Sequence, residues 1–318
     1  MADRPGRRKR RRKWQRRLRR QVQTLAVQVG LLALRHRRHA VMQWLIRVAV
    51  RLGAPLFGRQ FKLGERNLER VYGPTLSPRQ RHRLIQQAVE HFLLACLESI
   101  LRPVDHRVRF EGEGVAGLVE RSPGQGAIVA SLHLGCWDVA LRWLSQQRSD
   151  VAVVYRSWSN PEADRLLNQA RSANSFCHWI SKTDTRAMLG WLRRGGTLVV
   201  MADLHGQHNP VDVTFLGLAT RLSAGPFRLA QKTGCPIFPA AHVRDDDGCF
   251  LVHVGAPLAA GVDDLERLAQ ALCDWQEPWI HDYAEQYLWT YRHWRRQEGR
   301  RLRPLRPPGA RVLAGLGP

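Results

Sequence analysis

Within Ser131-Leu132-His133-Leu134-Gly135-Cys136-Trp137-Asp138 an imidazole and a carboxylate stand five residues apart, just after the apolar run Ala127-Ile128-Val129-Ala130. A run of that length suits a buried strand. On a single helix His133 and Asp138 would point about 140° apart, because each residue turns roughly 100°. Gly135 allows the chain to bend between them, which places His133 at a strand's end and Asp138 in the first turn of the next helix, near the positive end of its dipole. A carboxylate held there can fix one imidazole nitrogen as a donor and leave the other free to take a proton, as a general base requires. A histidine at a strand terminus is also often just a satisfied polar residue, so the rest of the chain has to decide between the two readings.

The elements that must carry this pair follow from the texture of the sequence. From Ser77 the run Pro78-Arg79-Gln80-Arg81-His82-Arg83-Leu84-Ile85 opens with an N-cap serine and a proline at the first helical position, predicting an amphipathic helix to Ile100. After Pro103 short apolar runs alternate with helical stretches. Val108 to Phe110, Ala127 to Leu132, Val151 to Val154, Thr197 to Met201, Val211 to Phe215, Ile237 to His242 and Phe250 to Val254 read as strands. Helices are expected at 135 to 146, 160 to 174, 183 to 194, 223 to 233 and 262 to 280. Strands separated by helices imply an α/β fold, a mostly parallel sheet in a three-layer αβα arrangement. Ligands of such sheets bind beyond the carboxyl ends of the strands. His133 ends one strand there and Asp203 follows another.

With 318 residues and 44% hydrophobic content the chain can bury one substantial core, which excludes a disordered protein. The formal charge of +23 is concentrated at the start, where twelve of the first twenty residues are Lys or Arg. An anionic partner is expected: nucleic acid, an acidic membrane surface or an acidic carrier protein. Cys96, Cys136, Cys177, Cys235, Cys249 and Cys273 form no C-x-x-C pair or regular framework, which suits reduced thiols, with Cys136 a small packing residue in the turn. Val22 to Leu34 lacks a cleavage pattern and falls short of the ~20 apolar residues that cross a bilayer. The next apolar stretch, Ala40 to Phe57, carries Arg47 and Arg51. The expected organisation is a basic disordered tail over 1–20, a helical membrane-associated region over 21–103, an α/β domain over 104–299 and a disordered Arg/Pro/Gly tail over 300–318. Residues 21–57 either lie in a membrane interface or form a single-pass anchor.

Further segments line up in order. Asn67-Leu68 precedes the Ser77 helix and Glu98 lies near its end; Tyr155-Arg156 ends a strand ahead of Asn160-Pro161; Arg171 falls in the next helical stretch. Met201-Ala202-Asp203 leads into a loop, followed by Val213-Thr214-Phe215-Leu216-Gly217, Ser223-Ala224-Gly225, Thr233-Gly234-Cys235-Pro236-Ile237-Phe238-Pro239 and Glu285-Gln286-Tyr287-Leu288-Trp289-Thr290-Tyr291-Arg292-His293-Trp294. This succession resembles the lysophospholipid acyltransferase superfamily, and within it the late (lauroyl/myristoyl) acyltransferases of lipid A biosynthesis, over nearly the whole chain. The resemblance implies an acyltransferase that moves a fatty acyl group from an acyl carrier protein thioester, or a coenzyme A thioester, to a hydroxyl of a lipid A precursor or related anionic glycolipid at the cytoplasmic face of the inner membrane, with another glycolipid or a glycerophospholipid as the alternative acceptor. It implies no cofactor and no bound metal, with acyl carrier protein, the glycolipid and membrane lipids as partners and no nucleic acid.

Carried to matching positions, the resemblance makes His133 the general base and Asp138 its orienting carboxylate, with Arg156, Arg171 and Asp203 as substrate-binding residues. Asp138 stands where the lipid A branch usually has glutamate, the form common in glycerophosphate acyltransferases. An alcohol's proton must be taken as it attacks a thioester, and the oxyanion formed needs donors, either backbone N–H groups around Gly135 or a guanidinium such as Arg171. The arginines suit acceptor phosphates, and equally surface ion pairs. Trp289 and Trp294 suit either a lipid boundary or a packed interior.

Two readings from other classes stand beside this one. Asp203, His205, His208 and His133 could ligate a divalent metal in a hydrolase, although their spacing matches no strong signature. The basic tail could be a nucleic-acid-binding arm, although only Trp14 interrupts it with an aromatic ring and the α/β domain would be left unexplained.

Overall fold

A computed structural model describes residues 58–101, 108–156, 177–206, 209–258, 264–294 and 301–317, with residues 21, 44, 46–48, 50, 160–162, 165–166 and 169 besides. In chain order the elements are α1 (Gly58–Tyr72), α2 (Pro78–Leu101), β1 (Val108–Glu111), α3 (Gly114–Val119), β2 (Ala127–Ser131), α4 (Trp137–Gln147), β3 (Val151–Tyr155) and β4 (His178–Ser181). Then follow α5 (Thr185–Arg193), β5 (Thr197–Met201), β6 (Pro210–Phe215), β7 (Leu218–Ser223), α6 (Gly225–Thr233), β8 (Ile237–Arg244), β9 (Phe250–Val254), α7 (Leu265–Asp282) and α8 (Ala310–Leu316).

The central sheet has seven strands in the order β1-β9-β8-β2-β5-β3-β4. Every neighbouring pair is parallel except β8 and β9. β2 is buried at every position and apolar up to its last residue, Ser131, as befits a strand covered on both faces. Its alternate side chains join two cores. Ala127 and Val129 pack with Leu118 of α3 and with Leu141 and Leu144 of α4. Ile128, Ala130 and Leu132 belong to the larger core, with side chains of α1, α2, α5, α6 and α7. The α/β fold and its mostly parallel sheet are therefore as the sequence implies. The Ser77 cap is present as a reciprocal box: the Gln80 N–H donates to Ser77 Oγ and the Ser77 N–H to Gln80 Oε1.

Two expectations are corrected. The run from Val211 to Phe215 does not enter the sheet; it is β6, paired antiparallel with β7. The hairpin turns through Leu216 and Gly217, at φ 52° and 74°. Side chains of α7 close its outer edge: Gln270 exchanges two hydrogen bonds with the Thr214 backbone, and Glu277 accepts from the Leu216 N–H. The stretch from 301 to 317 is not a loose tail. Val312 and Leu316 of α8 are buried, the Gly309 N–H donates to His281 O, and Arg301 donates to the Arg70 and Val71 carbonyls at the end of α1. Arginines that read as solvated charge here serve the open carbonyls of a helix C-terminus.

The basic tail and most of residues 21–57 lie outside the described residues. Among those described, Ile46 and Val50 are buried while Trp44 is exposed. No described helix is long and apolar enough to cross a membrane.

Candidate active site

β2 and β5 are adjacent and in register, with Ser131 opposite Met201. Two residues beyond each strand position stand His133 and Asp203, at the carboxyl edge where this fold class binds ligands. Asp203 Oδ1 lies 2.8 Å from His133 Nδ1, and Oδ2 accepts from the His133 backbone N–H at 3.0 Å. Both carboxylate oxygens thus grip one residue. A carboxylate only accepts, so Nδ1 carries the proton and Nε2 presents a lone pair. Among the described residues no group hydrogen-bonds to Nε2, and the side chain is 17% exposed while that of Asp203 is fully buried. Burial pushes Asp203 up, but the charge and hydrogen bonds of His133, with a smaller pull from His293, outweigh it and hold the carboxyl below its ordinary value.

The wall behind Asp203 comes from the Trp-rich segment. Tyr287 and His293 are buried there, with the Tyr287 hydroxyl 3.4 Å from His293 Nδ1 and the His293 Nε2–H donating to Leu288 O. Burial, reinforced by the Asp203 charge, drives the Tyr287 phenol well above its usual value, so it stays a neutral donor. The same segment clamps the turn that carries the histidine: the Leu288 N–H donates to His133 O, and the Gly135 N–H to Gln286 O. On the other side His242 of β8 donates from Nδ1 to Leu134 O. Gly135 sits at φ 59°, and a Cβ on it would lie 2.1 Å from His242 O, so this bend admits only glycine.

The carboxylate that fixes His133 Nδ1 is therefore Asp203, where the spacing suggested Asp138. Asp138 is in the first turn of α4, as expected, and is buried. Trp137 beside it meets the His133 ring edge-on at 5.7 Å. The N–H groups of His133 and Gly135 are both occupied, so neither is an oxyanion donor in this arrangement. Arg156 follows β3 at the same sheet edge, is exposed, and has no ion pair among the described residues. Arg171 lies outside the described residues, as does His208. His205 is held in an isolated bridge to Leu222, and among the described residues no group of three or more His, Cys, Asp or Glu gathers as metal ligands. Trp289 and Trp294 are interior residues. Asn67 of α1 donates to the Trp289 and Tyr291 carbonyls, which accounts for its place in the pattern as a tie to this segment.

Sequence reasoning missed Tyr287, His293 and His242 as neighbours of the pair. Their distance along the chain hides them; only the strand order, which sets β8 and β5 on either side of β2, brings them together.

Between the sheet and α4 lies a small cavity with almost wholly apolar walls, including Val129, Leu141, Leu144 and Val199. The arrangement offers a proton acceptor held by a buried carboxylate at the carboxyl edge of the sheet.

Residues 10–296 match the family model described as bacterial lipid A biosynthesis acyltransferase. The chain is also similar to the phosphatidylinositol mannoside acyltransferase of Mycolicibacterium smegmatis (strain ATCC 700084 / mc(2)155), at 28% identity over 155 residues, covering 48% of this chain and 51% of the relative. It is likewise 28% identical over 157 residues to phosphatidylinositol mannoside acyltransferases of Mycobacterium tuberculosis strains CDC 1551 / Oshkosh and ATCC 25618 / H37Rv, covering 48% of this chain and 49% of each relative. The chain spans about half the length of the curated relatives it matches.

Proposed function

We propose that the chain, which belongs to the bacterial lipid A biosynthesis acyltransferase family, is an acyltransferase that moves a fatty acyl chain from a carrier thioester directly to a hydroxyl of a glycolipid. The observation that carries this reading is the open Nε2 of His133, opposite an Nδ1 fixed by Asp203. In the proposed step Nε2 takes the proton of the acceptor hydroxyl as its oxygen attacks the thioester carbonyl. The tetrahedral intermediate collapses, the carbon–sulfur bond breaks, and His133 returns the proton to the departing thiolate. Asp203 stabilises the imidazolium between the two transfers. No acyl-enzyme is needed, and donor and acceptor are bound together.

Asp138 helps shape the site from the start of α4. Arg156 and Arg171 contact acceptor phosphates, for which a guanidinium's planar fork is suited. Acyl carrier protein is the proposed donor partner, with coenzyme A as the alternative. A lipid A precursor is the proposed acceptor; the mannoside named in the relatives widens the choice to other anionic glycolipids. The basic start of the chain suits the cytoplasmic face of the inner membrane and its anionic lipids.

Mass spectrometry of lipids from cells lacking and overexpressing the protein tests the reading. The expected result is one glycolipid species that loses a single acyl mass in the first strain and recovers it in the second. Unchanged glycolipids, or a change confined to a non-acyl group, would overturn it.

A further inference from the structure

The helix α8 lies beyond residues 10–296, the part of the chain that the family model matches, and it is fastened to the body at both ends. At its start the Gly309 N–H donates to His281 O; at its end the carbonyls of Leu316 and Gly317 accept from Arg83 and Gln80 of α2. Between these ties Arg311 reaches back to the segment that clamps the catalytic turn. Its guanidinium lies 4.4 Å over the ring of Tyr283, the C-cap of α7. It also meets two carboxylates, Asp246 in the turn between β8 and β9 at 2.6 Å, and Glu285.

The two carboxylates are unequal. The Asp246 side chain is 74% exposed, so water screens its ion pair and the contact counts for little. That of Glu285 is only 11% exposed, and its Oε2 has no hydrogen-bond partner. Burial pushes the Glu285 carboxyl up, and the charge of Arg311 is the largest pull against it. Among the described residues Glu285 has no other ion pair. A buried carboxylate stripped of its cation must take up a proton or turn out to water.

Turning out would disturb the site, because Glu285 belongs to a single 3-10 turn, Ala284–Gln286, whose last residue is a staple. The Gln286 side chain accepts from the Arg244 N–H at 2.8 Å and donates to Arg244 O at 2.7 Å, as a neighbouring strand would at the end of β8. Its Nε2 also stands 3.3 Å from Glu285 Oε1. The Gln286 backbone carbonyl takes the Gly135 N–H at 3.0 Å, and two residues on the Leu288 N–H donates to His133 O. An ionic contact made by α8 is thus linked, through two consecutive residues, to the turn that aims His133.

We propose that Arg311 is a positioning residue for the acyl transfer: by keeping Glu285 turned inward it holds Gln286 in place between β8 and Gly135, and α8 is a clasp behind the His133 turn. The role rests on the acyl-transfer reading and adds to it a control on where the base stands. It needs no contact with substrate, so loss of Arg311 acts on kcat and not on substrate affinity. Misplacing a reacting group by about 1 Å can cost on the order of a hundredfold, which sets the scale of the effect.

The test uses the full chain and measures kcat, referred to the folded fraction, and KM for transfer from the tetradecanoyl thioester of acyl carrier protein to a lipid A precursor. Arg311→Met should lower kcat about ten- to a hundredfold and leave KM nearly unchanged. A glutamine at 285 needs no counter-charge, so adding Glu285→Gln to Arg311→Met should restore most of the lost kcat. A role confined to fastening α8 through Tyr283 and Asp246 predicts no such recovery. Equal kcat in the single and double variants would therefore overturn the assignment, as would an Arg311→Met protein as fast as the parent. If Arg311→Met alone does not fold, Glu285→Gln is compared with the double variant. Loss of Arg311 should there change kcat by less than about threefold, and a loss of about tenfold would overturn the role. A parent chain that transfers from neither this donor nor tetradecanoyl-coenzyme A removes the acyl-transfer reading itself.

Discussion

Charged residues gather beyond both ends of the neighbouring strands β2, β5 and β3, and the two edges differ in what their polar atoms have left to offer. At the amino edge Arg121 donates to the Leu118, Gln125 and Gly195 carbonyls and to Thr197 Oγ1, and it lies 3.5 Å from Asp150. Arg148 grips both oxygens of Asp150 at 2.8 and 2.7 Å. Burial raises Asp150, and the bonds to Arg148 more than reverse it, so the carboxyl sits below its ordinary value. Each charge there is matched by a partner within the protein, and the cluster fastens the starts of the strands. At the carboxyl edge Asp203 is bound just as firmly, yet the residue it holds keeps a ring nitrogen with no hydrogen-bond partner among the described residues, on a side chain 17% exposed. Two lowered carboxylates therefore mean different things. The one that matters for chemistry is recognised by the open valence of its partner.

If this contrast is right, removing the open group destroys the reaction and leaves the fold. His133→Ala should lower acyl transfer by about a thousandfold, within the range of a positioned general base, with a melting temperature close to that of the parent. A wild-type transfer rate would abolish the distinction between the edges. At the amino edge the reverse is expected. Arg121→Met takes their donor from the Leu118, Gln125 and Gly195 carbonyls and should cost about 3 kcal/mol of stability in urea unfolding. Specific activity per folded molecule should stay near wild type; a selective loss of turnover with stability intact would contradict the structural assignment.

The buried histidines and Asp203 also separate by pH. His242, beneath the catalytic turn, and His281, on α7, are held down to about 4, chiefly by burial. An unfolded histidine protonates near 6.5, so below that pH the unfolded chain binds more protons than the folded one. Stability should therefore fall from about pH 6.5 towards 4, by an amount on the order of 2–3 kcal/mol per ring. Asp203 acts lower. Its folded value lies beneath the ordinary one, so its contribution is complete above the usual carboxylate range and is lost only as pH drops through the folded value. Urea titrations at several pH values check this, and a flat profile between 6.5 and 4.5 would contradict the burial of the two histidines. The smallest effect is expected at Arg156, where alanine should raise KM for a phosphorylated acceptor a few-fold and leave kcat nearly unchanged. An equal fall in kcat would move Arg156 into the chemistry.

How much of this was legible in the sequence follows from what each signal depends on. β2 and β5 stand out because strands buried on both faces must be continuous apolar runs. β4, with the sequence His178-Trp179-Ile180-Ser181 at the sheet's edge, carries no such mark. The helix α8 was hidden by composition, since arginine, proline and glycine read as a loose tail until Arg301 is seen donating to the end of α1. His133 was visible from its place after β2. Its partner was not: Asp138 is near in sequence, but the pairing of β2 with β5 delivers Asp203 from 70 residues away. Local spacing can mark a base, whereas choosing its carboxylate needs the strand order.

The most direct test compares the two carboxylates. Asp203→Asn and Asp138→Asn are assayed side by side for acyl transfer from the same carrier thioester, with thermal unfolding as the control. Asp203→Asn leaves nothing to fix the Nδ1–H tautomer, so it should lose about a hundredfold or more in kcat while remaining folded. Asp138→Asn should lose markedly less. A folded Asp203→Asn protein with near wild-type turnover, beside an inactive Asp138→Asn protein, would show that Asp138 orients the base.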